Sequence, residues 1–269
     1  MKSKITGGET DFLFSEKVLG KYDVKYYRCR DTGFIQTEEP YWLNEAYSNA
    51  ITKLDLGLVQ RNIDLSKTVY PVILQNFDPS KKFLDYAGGY ALFTRLMRNK
   101  GIDFYNTDPY CENIFAEEQD LKYLPLGQRF ELETAFEVFE HLPDPVAGME
   151  DMLKYSDSIL FSTVIVPKSV SKDWWYYSFE TGQHVAFYTL NSLKFLAEKF
   201  GLNFYSNGTT LHLFTRKNLS KNPFKLSPAG WLIKKAAKKL DKLETKFYGK
   251  RQSLLDEDIA NAKKKLKEK

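Results

Sequence analysis

"FLDYAGGYALFT", residues 83–94, reads as a short apolar strand, a turn of small residues and the start of a helix. In open α/β sheets such a unit lies at the carboxyl ends of the strands. There backbone N–H groups can meet a ligand, and small residues let the chain approach it. Gly88 and Gly89 suit that turn, whereas Ala87 and Ala91 stand where glycine is common. Alanine is the smallest departure from glycine, but it disfavours positive φ.

From Lys82 onward the chain alternates between strand and helix patterns. "KFLDY" and "IDFYNTD" read as strands around the helix "ALFTRLMRNKG"; "RFELETAFEV" and "SILFSTVIV" read as strands around the helix "PVAGMEDMLKYS". "LNSLKFLAEKFG" reads as a helix capped by Thr189 or Asn191 and ended by Gly201. "LNFYSNG" and "TTLHLFTRK" read as a strand pair joined at Asn207-Gly208. Alternating strands and helices predict a Rossmann-like α/β sandwich, with a mostly parallel sheet covered on both faces and one antiparallel strand at its edge. Residues 1–79 mix one β-like piece, "YDVKYYRC", with helical pieces and read as a cap or lid. Residues 80–217 form the α/β domain, and 218–269 a basic helical tail.

The net charge of +4 is unevenly spread. Residues 217–269 hold 16 Lys+Arg against 6 Asp+Glu, while the remainder holds 23 against 29. An acidic body with a basic tail is not the profile of a nucleic-acid binder. Two cysteines give no disulfide framework, and no apolar run is long enough to span a bilayer. With no secretory signal at the N-terminus, a cytoplasmic location is expected.

An acidic residue closing the second strand of such a fold suits ribose hydroxyls. Asp108 stands 23 residues after Asp85, near the usual spacing of about 20. "FEVFEHLPDP" follows at 136–145. Asp85 to Ala91, Asp108 and "EVFEHLPDP" together resemble the class I S-adenosylmethionine (SAM)-dependent methyltransferases. Within them the chain is most similar to the branch of ubiquinone-pathway O-methyltransferases and bacterial sugar methyltransferases. The resemblance covers about residues 82–216. It implies a seven-stranded sheet whose last hairpin inserts an antiparallel strand, with SAM as cofactor. It also implies a cofactor site at Asp85, Ala87, Gly88, Gly89, Asp108, Pro109, Phe136 and Glu137. A nicotinamide dehydrogenase would want a full Gly-x-Gly-x-x-Gly, and a non-catalytic SAM-binding relative has only Ala87 and Ala91 in its favour.

Transfer to a hydroxyl needs a base that titrates near neutral pH, which favours histidine. His141 follows the fourth strand and His184 lies in the aromatic loop "WWYYSFETGQH"; both are candidate catalytic residues, while His212 reads as structural. The loop suggests an acceptor platform of Trp174, Trp175, Tyr176 and Gln183. Related sugar methyltransferases carry a similar segment, so the expected acceptor is a sugar, sugar nucleotide or glycan end. Glu137, Glu140 and His141 would share one face of a helical turn and suit a divalent ion. A comparable Glu-x-x-Glu-His occurs in ubiquinone-pathway relatives, yet local pairing of Glu140 is the expectation and no metal is assigned. Cys29 stands where some relatives begin a zinc-binding pair, but Thr32 replaces its partner. Trp42, Tyr47, Asp55 and Arg61 are further candidates for cofactor or acceptor contact. In the tail Leu232, Ala236, Leu240, Leu243 and Phe247 form a stripe opposite lysines, suited to an anionic membrane surface, to the body or to self-association.

Overall fold

The computed structural model describes residues 1–48 and 55–225, together with Lys239 and Lys264. The tail stripe lies wholly outside the described residues.

The chain opens on a hairpin, β1 (Thr10–Val18) and β2 (Tyr22–Cys29), that turns at Leu19-Gly20 with both residues at positive φ. β3 (Ile35–Thr37), α1 (Leu43–Ala46) and α2 (Leu58–Asn76) follow. The α/β part then runs β4 (Lys82–Tyr86), α3 (Leu92–Arg98), β5 (Asp103–Thr107), β6 (Leu132–Ala135), α4 (Pro145–Met152) and β7 (Ser158–Ser162). A long loop leads to β8 (Ala186–Phe187), and α5 (Leu190–Lys199), β9 (Asn203–Ser206) and β10 (Leu211–Thr215) close the fold.

The N-terminal stretch is richer in strand than its sequence suggests. β1, β2, β3 and β8 form a four-stranded antiparallel sheet. Its last strand comes from the far end of the aromatic loop, so that loop is tied to the first 40 residues. Tyr26, Trp42, Tyr176, Tyr177 and Phe187 fill the space between sheet and loop.

The central sheet has the order β5-β4-β6-β7-β10-β9. β4, β5, β6 and β7 are parallel, and β10 is antiparallel to both β7 and β9. Two expectations are corrected here. The antiparallel strand is not at the edge, because the crossover through α5 carries β9 one place beyond β7 and the tight hairpin returns β10 into the gap. Asn207 Oδ1 fixes that hairpin by accepting from the N–H groups of Thr209, Thr210 and Leu211. Among the described residues the sheet also has six strands, not seven. Beside β5 the described residues offer only a single parallel bridge, Asn106 to Asp120. The acid-rich "ENIFAEEQD" leading to it lacks the β-branched run that would extend it into a strand.

Alternation along the strands builds a core on each face. Val69, Ile73, Phe93 and Met97 of α2 and α3 pack on Phe83, Phe104, Leu160 and Leu213. On the other face Met149, Leu193 and Leu196 of α4 and α5 pack on Phe139, Phe161 and Phe214. Thr189 caps α5 in a capping box, its Oγ1 accepting from Ser192 N while Ser192 Oγ accepts from Thr189 N. No helix among the described residues is long and apolar enough to cross a membrane.

Glu133 on β6 is fully buried, and neither carboxylate oxygen has a hydrogen-bond partner. Burial, with help from the Asp151 carboxylate, raises its pKa well above the usual carboxylate range. A folded-state pKa above the unfolded one removes stability as pH rises, by about 1.4 kcal/mol per pH unit above roughly 4.3 until the folded pKa is reached. Glu133→Gln lacks that penalty. Thermal melts across pH should show the variant gaining on the parent chain from pH 5 to 8; parallel curves would refute an uncharged buried Glu133.

Candidate functional site

After β4 the turn 87–91 is held by its own backbone. Gly88 N donates to Thr107 O, Ala91 N donates to Gly88 O, and Gly89 N donates to Asp108 Oδ2. Ala87, Gly89 and Ala91 all have positive φ (52°, 56° and 65°). Every second residue of the turn is therefore left-handed, the conformation glycine takes most easily, and each alanine there costs about 1–2 kcal/mol. Gly88 is required for a different reason. A Cβ on it would overlap Asn106 Oδ1 and Asp85 Oδ2 and lie 2.7 Å from Asp85 Cγ.

Asp85 is buried at the end of β4 and accepts from Thr134 Oγ1 at 2.7 Å. Burial pushes its pKa up to about 7. Asp108 accepts from three backbone N–H groups, those of Gly89, Tyr110 and Cys111, so the second acidic residue pins the glycine turn to the segment after β5. Asn106 Oδ1, buried between them, has no hydrogen-bond partner. All eight expected cofactor residues line one cavity of about 980 Å³.

A family model described as a methyltransferase domain matches residues 60–207, more than half of the chain. The chain belongs to the class I SAM-dependent methyltransferases. SAM is the cofactor. Solved structures to which the methyltransferase is similar include an O-methyltransferase family 2 protein from Planctomyces limnophilus in complex with apigenin (13% identity, 64% of this chain and 65% of that one, TM-score 0.46). An O-methyltransferase family protein from Burkholderia thailandensis gives 11% identity over 60% of this chain and 57% of that one, with a TM-score of 0.45. Magnesium protoporphyrin IX methyltransferase from Synechocystis, with bound SAM, gives 13% identity over 65% and 92%, with a TM-score of 0.39. The methyltransferase spans less than two thirds of the length of the first two. Among curated proteins none matches.

Both candidate catalytic histidines line the same cavity as the cofactor residues. Their rings meet edge to face, 4.9 Å between centroids. His184 Nδ1 lies 2.7 Å from the backbone oxygen of Tyr176. A carbonyl only accepts, so Nδ1 carries the hydrogen and the Nε2 lone pair is left available. His141 Nδ1 lies 3.0 Å from the Tyr47 hydroxyl. Burial lowers the pKa of both imidazoles, that of His141 well below the usual value with its neighbour His184 adding to the effect, so both are neutral near pH 7. His212 is buried inside β10 between Ser206 Oγ and the Thr163 carbonyl, away from the cavity.

The aromatic platform divides. Trp175 and Gln183 line the cavity, Trp175 being 73% exposed. Trp174 and Tyr176 do not. Trp174 packs on Tyr177 and Phe187, and Tyr176 is buried with its hydroxyl donating to Glu140 Oε1. Large rings next to an apolar sheet gain more by covering it than by facing water. Trp42 is corrected likewise, being buried with Nε1 donating to Gly182 O. Asp55 and Arg61 do reach the cavity, as a two-bond ion pair. The shared helical face for Glu137, Glu140 and His141 is not formed. A 3₁₀ turn begins only at Phe139, and Glu137 stands before it at φ 54° with its carboxylate accepting from Ser162 Oγ.

Tyr110 escaped the sequence reading. It stacks on Tyr47 with centroids 5.2 Å apart, is 68% exposed and lines the cavity. Its place two residues after Asp108 was the available signal. His184, His141 and Glu140, the last fully buried with Oε2 unpartnered, come together on one wall.

Proposed function

We propose that the chain transfers a methyl group from SAM to a hydroxyl of a small acceptor, with a sugar, sugar nucleotide or glycan end first among acceptors. One observation carries this reading: a single cavity joins the 85–89 turn and Asp108 to the imidazoles of His141 and His184. Its volume accommodates a nucleoside-sized cofactor beside a small acceptor. SAM supplies an electrophilic methyl on a sulfonium; the acceptor oxygen bonds to the methyl carbon as the C–S bond breaks, and that bonding pair stays on sulfur. The chain holds the partners in line and keeps water away. The acceptor O–H proton passes to the free Nε2 of His184, with His141, anchored on Tyr47, orienting the hydroxyl. Trp175 and Gln183 supply a flat face and polar contacts for the acceptor.

Ala87 and Ala91 keep the left-handed shape of the turn, so they do not favour a non-catalytic relative. In this reading residues 1–79 cap the cavity, 80–217 hold cofactor and acceptor, and 218–269 form a tail serving peripheral membrane contact or self-association. Calorimetric titration with SAM and S-adenosylhomocysteine, followed by an acceptor screen beginning with nucleotide sugars, tests the proposal. Asp108→Ala should weaken SAM binding by about 10–100-fold, the loss of one or more hydrogen bonds to a charged group. Equal affinity in parent and variant would remove Asp108 from the cofactor site.

A further inference from the structure

At the end of β4 two buried acceptor oxygens meet. Asp85 Oδ2 and Asn106 Oδ1 both reach the point that a Cβ on Gly88 would occupy, so they stand side by side under that glycine's bare backbone. The Asn106 amide directs Nδ2 toward the Gly89 carbonyl, and its Oδ1 has no hydrogen-bond partner. Asp85 is held on its other oxygen, where Oδ1 accepts from Thr134 Oγ1 at 2.7 Å. Thr94 Oγ1 reaches Oδ2 only at 3.5 Å, the limit of a hydrogen bond. An ionised carboxylate and an amide oxygen can only accept, and a buried polar atom left unpaired costs about 1–3 kcal/mol. One proton on Asp85 Oδ2, donated to Asn106 Oδ1, satisfies both atoms. The surroundings favour that proton. Burial pushes the Asp85 carboxyl up to about 7, against the Thr134 and Thr94 hydroxyls, and the Asp108 carboxylate after β5, the charged group acting on it, adds to the rise.

We propose that Asp85 holds a proton on Oδ2, shared with Asn106, in the cofactor-free chain and releases it to solvent as SAM binds. Asp85 lines the cavity. SAM carries a sulfonium and an ammonium against a single carboxylate, and a cation entering beside a carboxyl favours its ionised form. Asn106 and Thr134 are positioning residues that act through Asp85 with opposite sign. Asn106 accepts from the neutral acid and favours it, whereas Thr134 donates to the carboxylate and favours the charged form. SAM affinity should therefore rise with pH, by up to about tenfold per unit while Asp85 is protonated, and level off once it is ionised. The shared proton stands on the geometry of the cofactor-free chain; its release on binding rests on the cofactor site proposed above.

The test has two readouts on the full chain. The first is an NMR pH titration without ligand, observing carbon-13 at the aspartate carboxyls. The second is calorimetry of SAM binding at pH 6 and 7 in phosphate and in imidazole, whose different heats of ionisation count the protons released. One aspartate should titrate near neutrality, and its signal should be missing from Asp85→Asn. SAM should release about half a proton at pH 7 and bind about fivefold more tightly there than at pH 6. Asn106→Ala should move the carboxyl midpoint down and the near-isosteric Thr134→Val should move it up, each variant being shown to be folded by its melt. Damage to the turn would shift both the same way. A cofactor-free chain whose aspartates all titrate in the ordinary carboxylate range overturns the shared proton, and so do variants that leave the midpoint in place or move it together. SAM binding with no dependence on buffer leaves the cofactor site standing and removes the proton release; a near-neutral aspartate in a chain that takes no SAM does the reverse.

Discussion

Gly88→Ala is expected to abolish SAM binding and to lower the melting temperature. The added Cβ would fall on Asp85 and Asn106, and neither can retreat. Asp85 is buried at the end of a central strand and tied to Thr134, while Asn106 is buried on β5. The overlap therefore displaces the turn from the strand ends, with a loss of about 3 kcal/mol or more. For a chain of this size that is a fall in Tm of roughly 6–12 °C. The neighbouring substitutions provide the contrast. Ala87→Gly and Ala91→Gly relieve a left-handed alanine worth about 1–2 kcal/mol but loosen the unfolded chain by about 0.4–1 kcal/mol, so each should be neutral to slightly stabilising and keep SAM binding. Differential scanning calorimetry with and without SAM measures all three. A Gly88→Ala protein that binds SAM as tightly as its parent would show that the turn does not have this close approach.

The difference between those positions could not be seen in "AGGYA" alone. The sequence shows where a small residue stands; only the fold shows whether smallness serves φ, as at residues 87, 89 and 91, or approach, as at 88. The strands β4 to β7 and the capped α5 were legible because each carries a complete local signal: an apolar run, a cap or a glycine stop. β1 was not, because it is an edge strand whose side chains are mostly part-exposed and carry no clean alternation. The seventh strand, absent among the described residues, was misjudged for the opposite reason, a resemblance supplying an element for which "ENIFAEEQD" has no β-branched run. The site followed the same division. Residues fixed by the sheet edge, from Asp85 to Glu137, line the cavity where the motif placed them, whereas in "WWYY" composition could not say which ring faces solvent. Trp175 does; Trp174 and Tyr176 cover the N-terminal sheet, whose existence the sequence had hidden.

His184→Ala should lower kcat by about 10²–10⁴-fold, the usual contribution of a positioned acid–base group, while the Kd for SAM stays within about twofold because no cofactor contact is removed. The Tyr176 carbonyl fixes the tautomer, so alanine removes the one nitrogen that can accept the acceptor's proton without prior rearrangement. His141 is the poorer substitute, since burial, with His184 beside it, holds its pKa well below the usual imidazole value. Loss of a buried imidazole also acts through stability, and His212→Ala controls for that. His212 is fully buried and bonded at both nitrogens, so its removal should destabilise the sheet yet leave turnover per folded molecule near the parent value. Single-turnover rates at saturating SAM, normalised to the folded fraction, compare the variants. Equal losses in His184→Ala and His212→Ala would mean that folding, and not chemistry, sets the effect. A His184→Ala enzyme with full turnover would move the reacting hydroxyl away from this wall of the cavity.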